Sequence, residues 1–308
     1  MKPVHEYELV ILGGGPCGMT AAVYAARANL RCIVLETNIT GGLVNSTYTV
    51  ENFPSYPSIH GMELMQKMRD HVDSLNVPVE EACEVESLEL TGTIKTVETY
   101  DAVYKAKAVI LATGRKPIPL DVPTECEQAH FCAICDGGPY VGKRVLVVGG
   151  GNSAFDESLY MLKIGVEQIT LIEVMDRYFA AKATQDELFG SGKVAGQTCT
   201  RVKDVVVQDG VLKAALLENV KDGSVMELPC DGIFVFLGQK PNNELFKNVV
   251  ELNDQGYIKA DPRDMSTNIP GVFGAGDIND KAYRQIATAI ADGTIAALAA
   301  ERYIRTLK

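Results

Sequence analysis

The feature that most constrains the fold of this chain is a glycine-rich turn, flanked by a strand and a helix, that occurs twice. The first turn covers residues 13–18 (GGGPCG), between an apolar strand over 8–12 and an alanine-rich helix over 19–28. The second turn covers residues 149–154 (GGGNSA), after an apolar strand over 144–148, and a helix follows it as well. A strand, a glycine turn and a helix begin a dinucleotide-binding domain. The repeat therefore predicts an α/β protein with two Rossmann-like dinucleotide-binding domains.

Two short links that contain proline indicate where the chain crosses between these domains. They lie at residues 114–119 (GRKPIP) and 238–242 (GQKPN). If both are crossings, the second domain is inserted into the first, and the alanine-rich stretch over 282–308 returns as a helix to complete the first domain. We therefore expect a discontinuous domain of residues 1–115 and 242–308, and a central domain of residues 116–241.

The first glycine turn has the residue spacing that binding of a pyrophosphate requires. Gly13 permits the tight turn, Gly15 lets the backbone approach the phosphates, and Gly18 permits close packing of helix and strand. The N-terminus of the following helix adds amide donors and the positive end of its dipole. Glu36 ends the next strand and is expected to accept hydrogen bonds from the adenosine ribose hydroxyls; the alternative is a solvated carboxylate at a strand end.

The overall charge and the cysteine content exclude some classes of protein. The formal charge is −11, which disfavours nucleic acid as a partner because a phosphate backbone requires a basic surface. No apolar run approaches the roughly 18 residues that span a bilayer, and residues 1–7 lack the apolar core of a signal peptide. We therefore expect no membrane association and a cytoplasmic location. Eight cysteines in such a chain favour a reducing compartment, in which any disulfide is catalytic.

A closely spaced pair of cysteines, Cys132 and Cys135, precedes the second glycine turn and is followed directly by Asp136. Such a pair can form an easily reduced disulfide, and an adjacent carboxyl can move the proton that thiol–disulfide exchange requires. We interpret it as a redox relay. Half of a zinc site completed by Cys126, or two unpaired thiols, are the alternatives, although we expect no metal because no second close Cys or His pair exists. The other cysteines are predicted to be small buried apolar residues: Cys17, Cys32, Cys83, Cys126, Cys199 and Cys230.

Several further motifs follow one another along the chain in a specific order. Besides the two glycine turns and the cysteine pair they are Gly41-Gly42, Glu51-Asn52-Phe53-Pro54, Ala112-Thr113-Gly114, the run GVFGAGD over 271–277, and Tyr283-Arg284-Gln285. This order resembles that of the low-molecular-weight thioredoxin reductases, and the resemblance covers almost the whole chain. It implies a homodimeric FAD protein whose FAD-binding domain is interrupted by a smaller central domain that carries the redox pair.

The resemblance implies a role for individual residues in binding FAD. Asp277 is expected at the ribityl and phosphate region of the cofactor, and Arg284 and Gln285 are expected beside its isoalloxazine ring. The full set of expected FAD-binding residues is Gly13, Gly15, Pro16, Gly18, Glu36, Gly42, Asn52, Ala112, Thr113, Gly114, Gly276, Asp277, Arg284 and Gln285.

The resemblance also implies the chemistry of the redox pair. Cys132 is expected to attack the disulfide of thioredoxin, Cys135 to face the flavin, and Asp136 to donate the proton. The predicted function is therefore that of a flavin-dependent thioredoxin-disulfide reductase, an enzyme. A reductase for another protein disulfide and a flavin-bearing redox sensor without enzymatic activity remain as alternatives.

The second glycine turn departs from the family pattern at the residues that read NADPH. The family has a His-Arg-Arg-x-x-x-Arg element there, whereas this chain has Glu173, Val174, Met175 and Phe179 at the corresponding positions. A carboxylate about 4 Å from a phosphate repels it by roughly 1–4 kcal/mol, and the charge-assisted arginine bonds are lost as well. NADPH is therefore disfavoured as the electron donor.

Two electron donors remain after NADPH. Glu173 at this position suits the ribose hydroxyls of NADH. Alternatively, ferredoxin reduces the FAD directly, as the similar loss in the ferredoxin-dependent flavin thioredoxin reductases implies. The glycine-broken stretch 189–196, where the family has a helix and a strand, also departs from the pattern. The two departures together favour ferredoxin.

Overall fold

The computed structural model describes residues 2–47, 49–122 and 128–307. In chain order its helices and strands are β1 (Val4–Leu12), α1 (Pro16–Arg27), β2 (Cys32–Leu35), α2 (Gly61–Ser74), β3 (Val79–Glu80), β4 (Val85–Glu89), β5 (Lys95–Thr99), β6 (Val103–Leu111), β7 (Arg115–Pro117), β8 (Ala129–His130), α3 (Ala133–Asp136), β9 (Arg144–Val148), α4 (Asn152–Ile164), β10 (Gln168–Ile172), α5 (Lys182–Gly190), β11 (Val194–Gln197), β12 (Thr200–Gln208), β13 (Val211–Asn219), β14 (Val225–Pro229), β15 (Gly232–Val235), β16 (Gln239–Pro241), β17 (Val272–Gly274) and α6 (Ile286–Thr306). Cys126, the candidate zinc ligand, lies outside the described residues.

The chain divides into two compact units. The discontinuous unit contains Met1–Lys116 and Pro241–Lys308, and the central unit contains Pro117–Lys240. Both divisions fall inside the proline-containing links, and the two link strands, β7 and β16, pair with each other as a two-stranded sheet.

The discontinuous unit is built on one seven-stranded sheet. Its order is β3-β2-β1-β6-β5-β4, and β17 pairs with the C-terminal part of β6. β1 lies parallel to β2 and β6, whereas β5 runs antiparallel to β6. The last four residues of β1, Leu9–Leu12, are buried, because helices and loops cover both faces of this parallel region. The carboxyl ends of β1, β2 and β6 therefore meet at one edge of the sheet, where ligands bind in folds of this kind.

Two helices of the discontinuous unit pack together at very short range. The backbone of Gly293 in α6 lies so close to α1 that a Cβ atom there would come within 2.3 Å of the Cys17 carbonyl oxygen. Small residues such as Ala21, Ala25 and Ala296 continue this contact in the core. Although α6 is rich in alanine, no helix of the described residues has the length and the apolar character that crossing a membrane requires.

The central unit has a second parallel sheet and a separate antiparallel one. The parallel sheet has the order β11-β10-β9-β15-β8, and a three-stranded sheet of β12, β13 and β14 accompanies it. Residues 145–148 of β9 are buried, like those of β1. The core beside α4 contains Phe155, Met161 and Phe234, all fully buried. The fold class, with two Rossmann-like dinucleotide-binding units, is the one that the repeated glycine turn predicts.

The expectation that stretch 189–196 departs from a helix and a strand is wrong. Helix α5 extends to Gly190, and strand β11 begins at Val194 and pairs in parallel with β10. The glycines serve the fold here: Gly192 adopts a φ of +70° in the turn between the two elements. At Gly196 a Cβ atom would lie 2.6 Å from the Tyr178 hydroxyl and 2.7 Å from the Phe189 ring, so the glycine permits close packing.

The close contact of α1 with α6 gives a test of the fold. We expect Gly293→Ala to destabilise the protein by about 1–3 kcal/mol, because the added Cβ must push two helices apart. In an ordinary helix interior the same change would be stabilising by about 1 kcal/mol.

Thermal unfolding followed by circular dichroism measures this effect. Gly190→Ala is the matched control, since a Cβ at that helical position meets no atom within 4 Å. Equal or higher stability of Gly293→Ala would contradict the close packing.

Candidate active site and cofactor-binding site

The first glycine turn joins β1 to α1 and can be built only from glycine at two positions. Gly13 has a φ of +107°, and a Cβ there would lie 2.4 Å from the Ala112 carbonyl oxygen at the end of β6. A Cβ on Gly18 would lie 1.8 Å from the Gly13 oxygen. The turn therefore brings the end of β1, the end of β6 and the start of α1 into direct backbone contact. Pro16 occupies the first helical turn of α1, where its missing N–H costs nothing.

An open cradle lies beside Gly15, at the N-terminus of α1. A Cβ on Gly15 would meet no atom within 4 Å, although φ is an ordinary −77°. Gly42 faces the same place, since its own Cβ would lie 3.5 Å from the Gly15 Cα, and its φ is +56°. The space between these two glycines, next to free helix amides, is suited to the pyrophosphate of a dinucleotide.

The carboxylate of Glu36 is fixed at the end of β2 by two backbone donors. The Gly14 N–H donates to one carboxylate oxygen at 2.6 Å, and the Asn38 N–H donates to the other at 2.9 Å. A carboxylate held in this way beside the glycine turn is in the position that accepts from adenosine ribose hydroxyls.

The remaining predicted cofactor residues of this unit fall at the same edge of the sheet. Asn52 donates to the Gln285 side-chain oxygen at 3.1 Å, which joins two motifs far apart in sequence. The Arg284 guanidinium lies 4.0 Å from the centre of the Tyr257 ring. The Thr113 hydroxyl donates to the Asn242 carbonyl at 2.7 Å, and Gly114 follows it with a φ of +62°.

Asp277 is a buried carboxylate with one oxygen that lacks a protein partner. Its Oδ1 atom is buried and accepts no hydrogen bond from the described residues. Burial raises the pKa of Asp277, and the cations Lys281, Arg115 and Arg284 oppose that rise. An unsatisfied buried carboxylate oxygen is costly unless a ligand donates to it. A hydroxyl of the ribityl chain of FAD is such a donor.

The sequence analysis missed two residues beside Asp277. The carboxylate of Asp292 accepts from the Gly276 N–H at 3.1 Å and from the Lys281 ammonium at 2.7 Å. Lys281 and Asp292 belong to no recognised motif, and only the packing of α6 brings them to Gly276. The sequence indicated only that a cation, Lys281, follows the Asp277 carboxylate four residues later.

In the central unit, Cys132 and Cys135 form a disulfide with a Cα–Cα distance of 5.4 Å. Cys132 caps the short helix α3, and its sulfur accepts from the Cys135 N–H at 3.1 Å. Cys132 is 8% exposed, whereas Cys135 is exposed. We call residues 132–136 the redox turn. Which of its two sulfurs meets a partner protein stays a prediction.

The five free cysteines that the structure describes differ in burial. Cys17, Cys32, Cys199 and Cys230 are buried, whereas Cys83 is partly exposed. The prediction of small buried residues therefore fails only at Cys83.

A partly buried carboxyl group from α4 contacts the start of the redox turn. The Ala133 N–H donates to the Glu157 carboxylate at 2.7 Å. Burial raises the pKa of Glu157 to about 7, although the amides of Ala133 and Ile134 stabilise its ionised form. No sequence pattern points to this residue, because only the packing of α4 against α3 brings it to the cysteines.

Asp136 lies at the other end of the redox turn and faces a histidine. One of its oxygens is 3.5 Å from Nδ1 of His130, and Nε2 of His130 is 2.7 Å from the Tyr140 hydroxyl. Burial lowers the pKa of His130, and the charge of Asp136 partly counteracts this effect. His130 and Tyr140 were not among the predicted residues, although their spacing from the cysteines is short.

The second glycine turn copies the geometry of the first. Gly149 has a φ of +123°, and its Cβ would lie 2.3 Å from the Phe236 carbonyl oxygen. Gly151, like Gly15, would place a Cβ in open space. The Glu173 carboxylate at the end of β10 accepts from the Met175 N–H at 2.9 Å and reaches back toward Gly150. This arrangement matches that of Glu36 in the discontinuous unit.

The residues after Glu173 carry apolar side chains on the surface. Val174, Met175 and Phe179 are about half exposed. The guanidinium of Arg177 lies 5.4 Å from the centre of the Phe179 ring. The stretch from Val174 to Phe179 therefore carries a single arginine, and its guanidinium lies against an aromatic ring.

Two glycine turns of this geometry, a buried unsatisfied carboxylate and a redox disulfide define a disulfide oxidoreductase built on dinucleotide-binding domains. Residues 7–293 match the family described as pyridine nucleotide-disulphide oxidoreductase. The chain is 43% identical to the "34.2 kDa protein in rubredoxin operon" of Clostridium pasteurianum, with 99% of each chain covered. It is 36% identical to thioredoxin reductase of Bacillus subtilis, covering 100% of this chain and 98% of that protein.

A solved structure with the same fold is that of Lactococcus lactis thioredoxin reductase. The TM-score is 0.88 at 34% identity, with 97% of this chain and 99% of that chain covered. The chain therefore belongs to the pyridine nucleotide-disulphide oxidoreductases, within the family of low-molecular-weight thioredoxin reductases. It is an enzyme, a flavoprotein disulfide oxidoreductase, and its cofactor is FAD. The open cradle between Gly15 and Gly42 and the unsatisfied Asp277 oxygen fit that cofactor.

The open space at Gly15 leads to a test of the FAD site. We expect Gly15→Val to fold normally but to lose FAD, with at least ~10-fold less flavin per chain, because the added side chain fills the pyrophosphate cradle. Flavin absorbance and far-UV circular dichroism of the purified protein measure the two effects. Gly151→Val in the second turn is the matched control and should keep its full flavin content. A fully loaded Gly15→Val protein would show that the cofactor lies elsewhere.

The raised pKa of Glu157 predicts how stability depends on pH. The folded protein holds this proton up to pH about 7, whereas the unfolded chain releases it near 4.5, so stability falls as pH rises between these values. Glu157→Gln keeps an acceptor for the Ala133 N–H but cannot ionise. We expect it to be more stable than the parent at pH 8, by up to about 3 kcal/mol, with little difference at pH 5.

Urea unfolding from pH 5 to pH 8 measures this difference. Glu167→Gln, at an exposed position just after α4, is the control and should follow the parent at every pH. A constant offset between Glu157→Gln and the parent would contradict a buried, protonated Glu157.

Proposed function

We propose that this enzyme reduces the disulfide of thioredoxin through its own Cys132–Cys135 couple. The observation that carries the proposal is the redox disulfide, which stands beside a carboxyl group in a chain of this family. Thioredoxin as substrate is supported by the relatives of this chain that are named thioredoxin reductase. The disulfide argues against a flavin-bearing sensor, because a sensor needs no such relay.

The chain's residues have the following roles in this proposal. Bound FAD supplies the two electrons that open the disulfide. Cys132 then attacks the thioredoxin disulfide as a thiolate, and Cys135 resolves the mixed disulfide, so that reduced thioredoxin leaves and the Cys132–Cys135 bond forms again. Asp136 delivers and recovers the proton of the leaving sulfur. In the disulfide state Cys135 is the more exposed residue of the pair, so Cys132 must become accessible before it attacks.

For the electron donor we propose ferredoxin rather than NADPH. The positions that would read a 2′-phosphate hold a fixed carboxylate and exposed apolar side chains, Glu173, Val174 and Phe179. Such a surface repels a phosphate, and its single arginine, Arg177, lies against the Phe179 ring. A relative at 43% identity bears the name "34.2 kDa protein in rubredoxin operon". Its name supports an iron–sulfur type of redox partner for this chain.

NADH is a second candidate donor, because of one specific observation. The Glu173 carboxylate accepts from the N–H two residues further along and lies beside Gly150, as Glu36 accepts from the Asn38 N–H and lies beside Gly14. A dinucleotide without the 2′-phosphate could place its ribose hydroxyls on such a carboxylate. Since α5 and β11 are present, the stretch 189–196 no longer favours ferredoxin over NADH.

Anaerobic stopped-flow measurement of flavin absorbance distinguishes the donors. We expect reduced ferredoxin to bleach the flavin at least about 100-fold faster than NADPH at equal concentration, since the lost phosphate contacts are worth several kcal/mol. If ferredoxin is the donor, it also bleaches the flavin faster than NADH does. Gly151→Val should leave the ferredoxin rate unchanged.

Fast bleaching by NADH that Gly151→Val abolishes would establish the second candidate instead. Fast bleaching by NADPH would contradict the argument from the missing arginines. An enzyme that is reduced but transfers nothing to thioredoxin would contradict the proposed substrate.

The proposed setting of this reaction is a homodimer in the cytoplasm. It is supported by family membership and by the cysteine content, which favours a reducing compartment.

A further inference from the structure

A short chain of polar side chains begins at Asp136 of the redox turn, and its other members have no role in the proposed mechanism. Asp136 faces Nδ1 of His130 at 3.5 Å, and Nε2 of the same ring contacts the Tyr140 hydroxyl at 2.7 Å. His130 ends strand β8, whose pairing with β15 fixes its backbone. Three side chains from three different elements are thus aligned behind the cysteine pair.

The ring of His130 is held in one orientation from several sides. It packs at an angle against Phe234, with ring centres 5.2 Å apart, and against Tyr140 at 5.3 Å. The side chain of His130 is 17% exposed and that of Asp136 is 41% exposed. The chain therefore leads from the interior of the central unit to a carboxyl group at the surface, beside the disulfide.

Two titratable groups from the neighbouring elements face the His130 ring. They are Asp136 of α3 and Tyr140, which follows α3, while β15 contributes only the apolar Phe234. The Lys143 ammonium lies 5.5 Å from the Tyr140 ring centre, and Glu157 contacts the opposite end of the redox turn. Asp136 is thus the carboxylate that faces the imidazole.

We propose that His130 is a positioning residue for disulfide exchange, which orients the Asp136 carboxyl group toward the leaving sulfur, with Tyr140 fixing the far side of the ring. The inference rests on the proposed roles of the cysteine pair and Asp136. It adds a dyad of Asp136 and His130 to them, because a half-exposed carboxyl group transfers a proton efficiently only when it is held at the leaving sulfur.

Each exchange step conserves protons and electrons. When a thiolate of the pair attacks a substrate disulfide, one S–S bond forms and one breaks, and the leaving sulfur departs with an electron pair. That sulfur takes a proton from the Asp136 carboxyl. Asp136, whose side chain is 41% exposed, regains a proton from water, while Nδ1 of His130 faces the carboxyl group and the Tyr140 hydroxyl holds Nε2. No further oxidant or reductant is required.

The test exploits the fact that only a basic leaving sulfur needs a proton. The protein is reduced with a phosphine, freed of reductant, and mixed with two small disulfides at pH 6 to 9. Hydroxyethyl disulfide has a basic leaving thiolate, whereas dithiobis(nitrobenzoate) has an acidic one that leaves without protonation. We expect His130→Gln to slow the first reaction about tenfold or more at neutral pH and to leave the second within about twofold.

Further variants distinguish positioning from a general structural effect. Tyr140→Phe should show the same selective loss to a smaller degree. Asp136→Asn combined with His130→Gln should be no slower than Asp136→Asn alone, because the histidine acts through the carboxyl. His71→Gln, at an exposed position in α2, is the control and should match the parent.

Equal slowing of both disulfides, or additive losses in the double variant, would overturn the proposal. These reactions require neither thioredoxin nor an electron donor. If the parent protein exchanges with both small disulfides but not with thioredoxin, the proposed substrate fails while the dyad remains testable.

Discussion

The close approach of backbone to backbone at the two glycine turns is the constraint on which the rest of the structure depends. At Gly13 the chain passes so near the end of β6 that any side chain would collide with the Ala112 carbonyl, and Gly149 repeats this contact with Phe236. Each turn thereby fixes where a helix begins relative to two parallel strands. Everything placed at those strand ends, including Glu36, Thr113 and Glu173, takes its position from this contact.

Equal geometry at the two turns does not mean equal chemistry. In the discontinuous unit the turn is accompanied by a buried carboxylate oxygen without a partner and by several cations, which together fit a large polar cofactor. In the central unit the carboxylate of Glu173 is satisfied by the Met175 amide, and apolar side chains occupy the neighbouring surface. The first turn therefore lies beside a carboxylate oxygen that needs a ligand, whereas no buried carboxylate oxygen without a partner occurs among the described residues of the central unit.

The redox turn combines groups that act on protons from both of its ends. Glu157 contacts the backbone at its start, and burial keeps that carboxyl protonated up to pH about 7. Asp136 and His130 stand at its other end, nearer to solvent. A thiolate that forms in this turn is thus placed between a buried acid, which limits the local negative charge, and a dyad that can exchange protons with water.

The sequence by itself determined the class of fold, because the spacing of glycines in each turn permits few other structures. It also determined the cysteine pair, since Cys132 and Cys135 are only three positions apart. The prediction that residues 189–196 lack a helix and a strand is wrong. A glycine in a turn after a helix and a glycine that permits close packing cannot be told apart from the sequence. Only the tertiary structure decided that Glu157, His130 and Tyr140 surround the redox turn and that Asp292 lies beside Gly276. Those contacts depend on how α4, β8 and α6 pack, and packing between distant segments leaves no local pattern to detect.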